Sequence, residues 1–161
     1  MNLENIKQPF VIILVGPPLS GKTTFIKKNF PDTEVISRDE ILMEVYGTKN
    51  YTEAFKNVDH KNVDKILKER ITKYSNEGIN VLVDMTNLSP KTRKSNLSYF
   101  GKNYYKISVT FPILSMDEYK IRNNHRNEIE NKYIPENVLK SMISNYTIPT
   151  LDEGFDEIIT L

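Results

Sequence analysis

No cysteine occurs anywhere in the chain, which excludes disulfide staples and thiolate metal sites. Histidine is nearly as scarce: His60 and His125 are too few for a zinc site, and both read as surface residues. No apolar run reaches the length of a bilayer-spanning helix and no secretory leader opens the sequence. A cytoplasmic location, the host cytoplasm if the source is viral, is therefore expected. An excess of one charge is missing too. Lys and Arg number 22 against 21 Asp and Glu, a formal net charge of +1, whereas a long duplex footprint needs a strongly basic face. The balance still allows a grip on one strand end through a few phosphates, from local clusters such as Lys91, Arg93 and Lys94, or Arg122 and Arg126. Repeats, low-complexity tracts and linkers are also absent, and 161 residues suit one domain with one active site.

Against these absences stands one dense motif. Gly16-Pro17-Pro18-Leu19-Ser20-Gly21-Lys22-Thr23 fits the phosphate-binding pattern G-x-x-x-x-G-K-[ST] and directly follows the apolar run Phe10 to Val15. Such a run delivers the chain to a loop whose N–H groups surround phosphates, and the next helix points its positive end at the same anion. Gly16 and Gly21 permit backbone conformations and close approach that a Cβ forbids. Lys22 is suited to the β/γ-phosphates and the Thr23 hydroxyl to magnesium. A helix from Lys22 to Phe30, with Phe25, Ile26 and Phe30 facing a core and Pro31-Asp32 ending it, supports the motif. A nucleoside triphosphate is the expected ligand. Asn131-Lys132 continues as Tyr133-Ile134 and so lacks the guanine-reading Asp, which leaves ATP as the default.

Five segments read as strands: Phe10 to Val15, Glu34 to Ser37, Asn80 to Val83, Tyr105 to Phe111 and Glu157 to Leu161. Helical patterns separate them, over Glu40 to Tyr46, Asn57 to Asn76, Pro90 to Phe100, Ser115 to Asn124 and Pro135 to Tyr146. The alternation predicts an α/β P-loop NTPase fold, a doubly wound parallel five-stranded sheet with helices on both faces. Ligands then gather at the carboxyl ends of the strands. A small lid is expected over Arg122 to Lys132, a polar and basic stretch in which Arg122 and Arg126 lie one helical turn apart and can point together at phosphates.

Two carboxylates follow strands. Asp39, after the second, could orient an acceptor hydroxyl and take its proton, or could simply cap the next helix. Asp84, after the third, holds the position from which a carboxylate supports magnesium, or else caps a turn. Met85 stands where ATP-driven motors generally place a water-activating Glu, which favours a kinase over a motor ATPase or a switch.

Together, Gly16 to Thr23, Arg38-Asp39, Asp84-x-Thr86-Asn87-Leu88-Ser89-Pro90 with Arg93, Arg122 to Arg126, and Ile134-Pro135 followed by Val138-Leu139 and Met142 resemble the phage-type 5′-hydroxyl polynucleotide kinase domain. The resemblance covers nearly the whole chain. It implies an adenylate-kinase-like sheet with a tunnel for the acceptor, and a nucleic-acid 5′ end of DNA or RNA as the partner. It also implies that Lys22 and Thr23 bind ATP and magnesium, with Pro17, Ser20, Thr24 and Arg122 alongside. Asp39 would be the general base, Asp84 would support the acceptor site, and Arg126 would stabilise the migrating phosphate. Arg38, Thr86, Asn87 and Arg93 would then contact the acceptor. One position departs from the pattern: Leu42 stands where such enzymes usually carry an acceptor-gripping Arg, and the stretch Tyr46 to Thr52, with Tyr51 for stacking and Lys49 for a phosphate, is a candidate substitute. No phosphatase segment accompanies these motifs, so 3′-end processing would fall to another protein. A kinase of a nucleoside, modified base or other small hydroxyl compound remains an alternative, as does an ATP-hydrolysing switch. Self-association into a homo-oligomer is left open.

Overall fold

The structure is a computed structural model that describes residues 6–161. The first strand, β1 (Phe10–Val15), is buried along its whole length because it lies at the centre of the sheet and is covered on both faces. Helix α1 (Lys22–Asn29), strand β2 (Glu34–Ile36) and helix α2 (Arg38–Tyr46) follow. Next come α3 (Tyr51–Asn57), α4 (His60–Asn76), β3 (Val81–Val83) and α5 (Pro90–Leu97). The chain closes with β4 (Tyr105–Thr110), α6 (Met116–Glu130), α7 (Glu136–Ser144), a single 3-10 turn (Leu151–Glu153) and β5 (Glu157–Thr160). All five strands are parallel in the order β2-β3-β1-β4-β5. This is the doubly wound, parallel five-stranded α/β fold expected from the alternation of strands and helices.

Alternate residues of β1 serve opposite layers. Val11, Ile13 and Val15 pack with Ile71 of α4, Leu97 of α5, and Phe100 and Tyr104 beyond it. Phe10, Ile12 and Leu14 pack on the other face with Ile26 of α1 and Phe30. A third apolar cluster, Ile41, Leu42, Ala54 and Val63, joins α2, α3 and α4 at the edge of this assembly.

Two helix boundaries differ from the expected ones in ways that bear on the site. The helix expected from Asn57 begins at His60, and a separate short helix, α3, precedes it. Asn50 caps α3 through Glu53 N, and Asp59 caps α4 by accepting from Lys61 N and Asn62 N. Helix α6 runs on to Glu130 rather than stopping near Asn124, so most of the expected lid is helical. Only the turn beyond Asn131, which adopts the left-handed conformation at φ +51°, is loop. Among the described residues no helix is long and apolar enough to cross a membrane.

Candidate active site

The phosphate loop occupies the turn from β1 into α1, at the carboxyl edge of the central strand. A Cβ on Gly16 would lie 2.9 Å from the Cβ of Phe111 and 3.0 Å from Ser20 Oγ, so the loop closes tightly only because that atom is missing. Gly16 N donates to the Thr86 carbonyl at 3.0 Å, which ties the loop to the segment after β3. Gly21, at φ +101°, caps α1 without a side-chain acceptor, leaving the helix's first N–H groups to an external anion. Lys22 is buried, and its Nζ donates to the carbonyls of Gly16 at 3.0 Å and Pro17 at 2.7 Å. Ser20 Oγ is buried without a hydrogen-bond partner. Open N–H groups, a buried ammonium and an unpartnered hydroxyl fit a polyphosphate.

Burial pulls the Lys22 ammonium down to about 8, against the raising influence of Asp84 and Asp39. The unfolded chain keeps this proton towards its ordinary value of 10.5, so stability without ligand rises as pH climbs from about 8 into that range. A polyphosphate favours the charged form instead. Nucleotide binding at a pH near or above 8 is therefore expected to take up a proton, and affinity to fall as pH rises further. Calorimetric titration of ATP in two buffers of different ionisation enthalpy checks this, and identical heats in both would contradict it.

Thr23 Oγ1 and Asp84 Oδ2 lie 3.5 Å apart across the mouth of the loop. Burial, chiefly, raises the Asp84 carboxyl above its ordinary range, with the Lys22 ammonium pulling it back down. Two hard oxygens this close suit magnesium, which commonly takes one or two protein oxygens and completes its shell with water and substrate phosphates. Asp84 has no capping duty, since Ser89 accepts from Thr92 N at the start of α5.

Asp39 is free of capping as well, because Ser37 caps α2 by accepting from Glu40 N. Its half-exposed carboxylate pairs with the Lys132 ammonium, whose nitrogen also sits 3.7 Å from the centre of the Tyr51 ring. Burial and the adjacent Asp39 carboxylate push the Tyr51 hydroxyl up to about 12. Arg126 Nε donates to the Lys132 carbonyl at 3.3 Å, while its Nη2 is buried without a partner. Asp84, Asp39, Arg126 and Lys132 all act electrostatically on Lys22, so these charges converge on one place.

Arg122 reaches across to the loop, where Nη1 donates to the Leu19 carbonyl at 3.0 Å. Beside it a groove of about 470 Å³ is lined by Gly21, Thr24, Phe25, Lys28, Asn29, Arg122 and Leu161. Arg38 turns towards α4 instead, with Nε donating to Asp64 Oδ1 at 2.8 Å and Nη2 lying 3.4 Å from His60 Nδ1. His60 is thus half-buried rather than a bare surface residue, its other ring nitrogen 2.9 Å from the Phe55 carbonyl.

Two residues expected at the acceptor lie in the interior instead. Arg93 is fully buried, with Nε and Nη2 donating to the Glu153 carboxylate at 2.6 and 2.7 Å. Its Nη1 serves the carbonyls of Asn87, Leu88 and Thr147, which leaves the guanidinium committed on every side. Asn87 is also buried, donating to the Leu14 carbonyl at 2.8 Å and accepting from Asn96. Thr86 is half-buried, and its carbonyl is what holds Gly16. Leu42 sits in the α2–α3–α4 cluster with no exposure, where a cation could not reach a substrate.

With this geometry in place, the sequence of residues 11–149 matches a family described as an AAA domain. The chain belongs to that family. A curated relative of this AAA domain, heterogeneous nuclear ribonucleoprotein U-like protein 2 of Mus musculus, is 24% identical over 96% of the chain. The chain spans 22% of that relative's length. Among solved structures, a component of the Pnkp1/Rnl/Hen1 RNA repair complex superposes with a TM-score of 0.70 at 18% identity, covering 90% of this chain and 46% of that one. Kti12 of Chaetomium thermophilum, in complex with ADP-AlF3, gives 0.63 at 16% identity over 94% and 88% of the two chains. At these identities the likeness is one of fold, that of a kinase-like P-loop domain.

The residue that sequence reasoning passed over in this AAA domain is Lys132. It was legible only as the end of a basic stretch, because its partners Asp39 and Tyr51 lie 93 and 81 positions away and meet it only through the fold.

Proposed function

We propose that this AAA domain is an ATP-dependent kinase acting on the 5′-hydroxyl end of DNA or RNA. The observation that carries the reading is Asp39, a carboxylate without a capping role, grouped with Lys22, Asp84 and Arg126 at the carboxyl edge of the sheet. A motor's water-activating Glu would follow Asp84, where this chain has Met85, so a carboxylate after β2 instead suits activation of an acceptor hydroxyl. The RNA repair complex among the structural relatives adds weight to a nucleic-acid acceptor.

In this mechanism the loop N–H groups and Lys22 hold the β- and γ-phosphates of ATP, and the groove beside Arg122 receives the donor base. Thr23 and Asp84 would hold magnesium, which when bound offsets phosphate charge. Asp39 accepts the proton of the acceptor hydroxyl as that oxygen bonds to the γ-phosphorus. The bond from that phosphorus to the β–γ bridging oxygen breaks, and ADP leaves. Arg126, bonded to the carbonyl of the Lys132 that pairs with Asp39, would stabilise the charge on the migrating group.

The buried, apolar setting of Leu42 favours a second reading, a kinase of a small hydroxyl compound without a phosphate to hold. Transfer of labelled γ-phosphate from ATP to a 5′-hydroxyl oligonucleotide, beside a nucleoside panel, separates the two. Label on the oligonucleotide, absent with Lys22→Ala, is the expected result. Label on a small acceptor alone would select the second reading.

A further inference from the structure

We propose that Lys132, seated on the Tyr51 ring, is the binding site for the acceptor's own phosphate, the one that neighbours the reacting hydroxyl. The inference deepens the kinase reading above and rests on it for the identity of the acceptor.

Three observations carry it. Leu42, where the resemblance implies a cation on α2, is wholly buried against α3 and α4 and leaves that role unfilled. On the open side, the cation paired with Asp39 is Lys132, and Lys132 rather than Lys49 covers Tyr51. Lys132 is also held in place by its backbone and its neighbours, not left on a free loop. The left-handed Asn131 reverses the chain at the end of α6, and its carbonyl accepts from Thr52 Oγ1 of α3 at 3.0 Å. Arg126 Nε donates to the Lys132 carbonyl, and Asn123 brackets Ile134 with bonds of 2.7 and 3.1 Å. These contacts hold an ammonium beside the carboxylate that handles the acceptor hydroxyl.

A phosphate is the chemistry that this arrangement would recognise. Lys132 can exchange the Asp39 carboxylate for a phosphate oxygen at little expense, because the pair is partly solvated and such pairs contribute weakly. The exchange releases Asp39 to accept a proton only when a phosphate-bearing acceptor has arrived. A bare nucleoside leaves the pair closed.

The test is calorimetric binding of thymidine 3′-monophosphate, with thymidine as the comparison, to protein saturated with ADP and magnesium so that the phosphate loop is occupied. Wild type is expected to bind the 3′-monophosphate at least about tenfold more tightly than thymidine. Lys132→Met should erase that preference and Lys132→Arg should restore most of it, with ADP affinity unchanged in both. In transfer assays Lys132→Met should raise KM for phosphate-bearing acceptors by about 10- to 100-fold, without a matching change for thymidine. Retention of the preference in Lys132→Met overturns the proposal. A shifted pH–rate profile with unchanged binding also overturns it, by showing that Lys132 only tunes Asp39. Lysine-dependent binding of the 3′-monophosphate without any transfer would keep the phosphate site and sink the kinase reading instead.

Discussion

Asp39→Asn is expected to lower kcat for phosphoryl transfer by about 10²- to 10⁴-fold while leaving ATP affinity nearly unchanged. The substitution keeps the shape of the side chain and removes its capacity to accept a proton. Stability should hardly move, because Asp39 does not cap α2 and its ion pair with Lys132 is partly exposed, which makes the pair worth about 0–1 kcal/mol. That separation makes the variant informative: a loss of activity cannot be charged to unfolding if the urea midpoint stays in place. Steady-state kinetics with saturating ATP and varied acceptor is the measurement. Full kcat in the variant would mean that the hydroxyl proton leaves by another route and that Asp39 only positions Lys132.

The parts of this molecule that were readable from the sequence are those whose signal is local. β1 is continuously apolar because it is covered on both faces, and its bounds match the expected ones. The loop that follows carries its signal within eight consecutive residues, so its place between β1 and α1 follows from spacing alone. Parallel pairing followed from the alternation of strands and helices, since parallel neighbours need a crossover between them.

Signals that depend on distant partners were less legible. Helix α3 carries little sequence signal because its apolar contribution is small: Ala54 is buried, while Phe55 remains 47% exposed. Helix α6 extends past the expected end near Asn124, although the residues there are almost all polar, a composition typical of a loop. The helix persists there because Arg126 and Asn123 bond to the returning segment at Lys132 and Ile134, and the left-handed Asn131 closes it. Arg93 misled for a related reason. An arginine in a cluster with Lys91 and Lys94 reads as basic surface, yet 0% of it is exposed, because Glu153, 60 positions later, folds back over it.

That burial gives the second large effect. Arg93→Met is expected to destabilise the fold by about 3–5 kcal/mol, the range for breaking a buried ion pair by removing one partner. Glu153 would be left as an unpaired charge in the interior, and the carbonyls of Asn87, Leu88 and Thr147 would each lose a donor. The carboxyl of Glu153 shows the direction of the pair's effect. Its burial alone would raise it, but hydrogen bonds from Arg93 and from Thr150 N hold it below its ordinary value of 4.5. Stability from this source is therefore present above about pH 4.5 and is lost as pH falls through the lowered value. In Arg93→Met that acid dependence should shrink. The damage should also reach the phosphate loop, because the segment held by Arg93 includes Asn87, which donates to the Leu14 carbonyl, and adjoins Thr86, which holds Gly16 N. Urea unfolding at neutral and acid pH, paired with ATP titration, measures both consequences. A loss below about 1 kcal/mol would mean that water replaces the guanidinium without penalty. The double variant Arg93→Met with Glu153→Leu separates the terms: it removes the orphaned charge and keeps the unsatisfied carbonyls, so recovery of most of the loss would assign the larger share to Glu153.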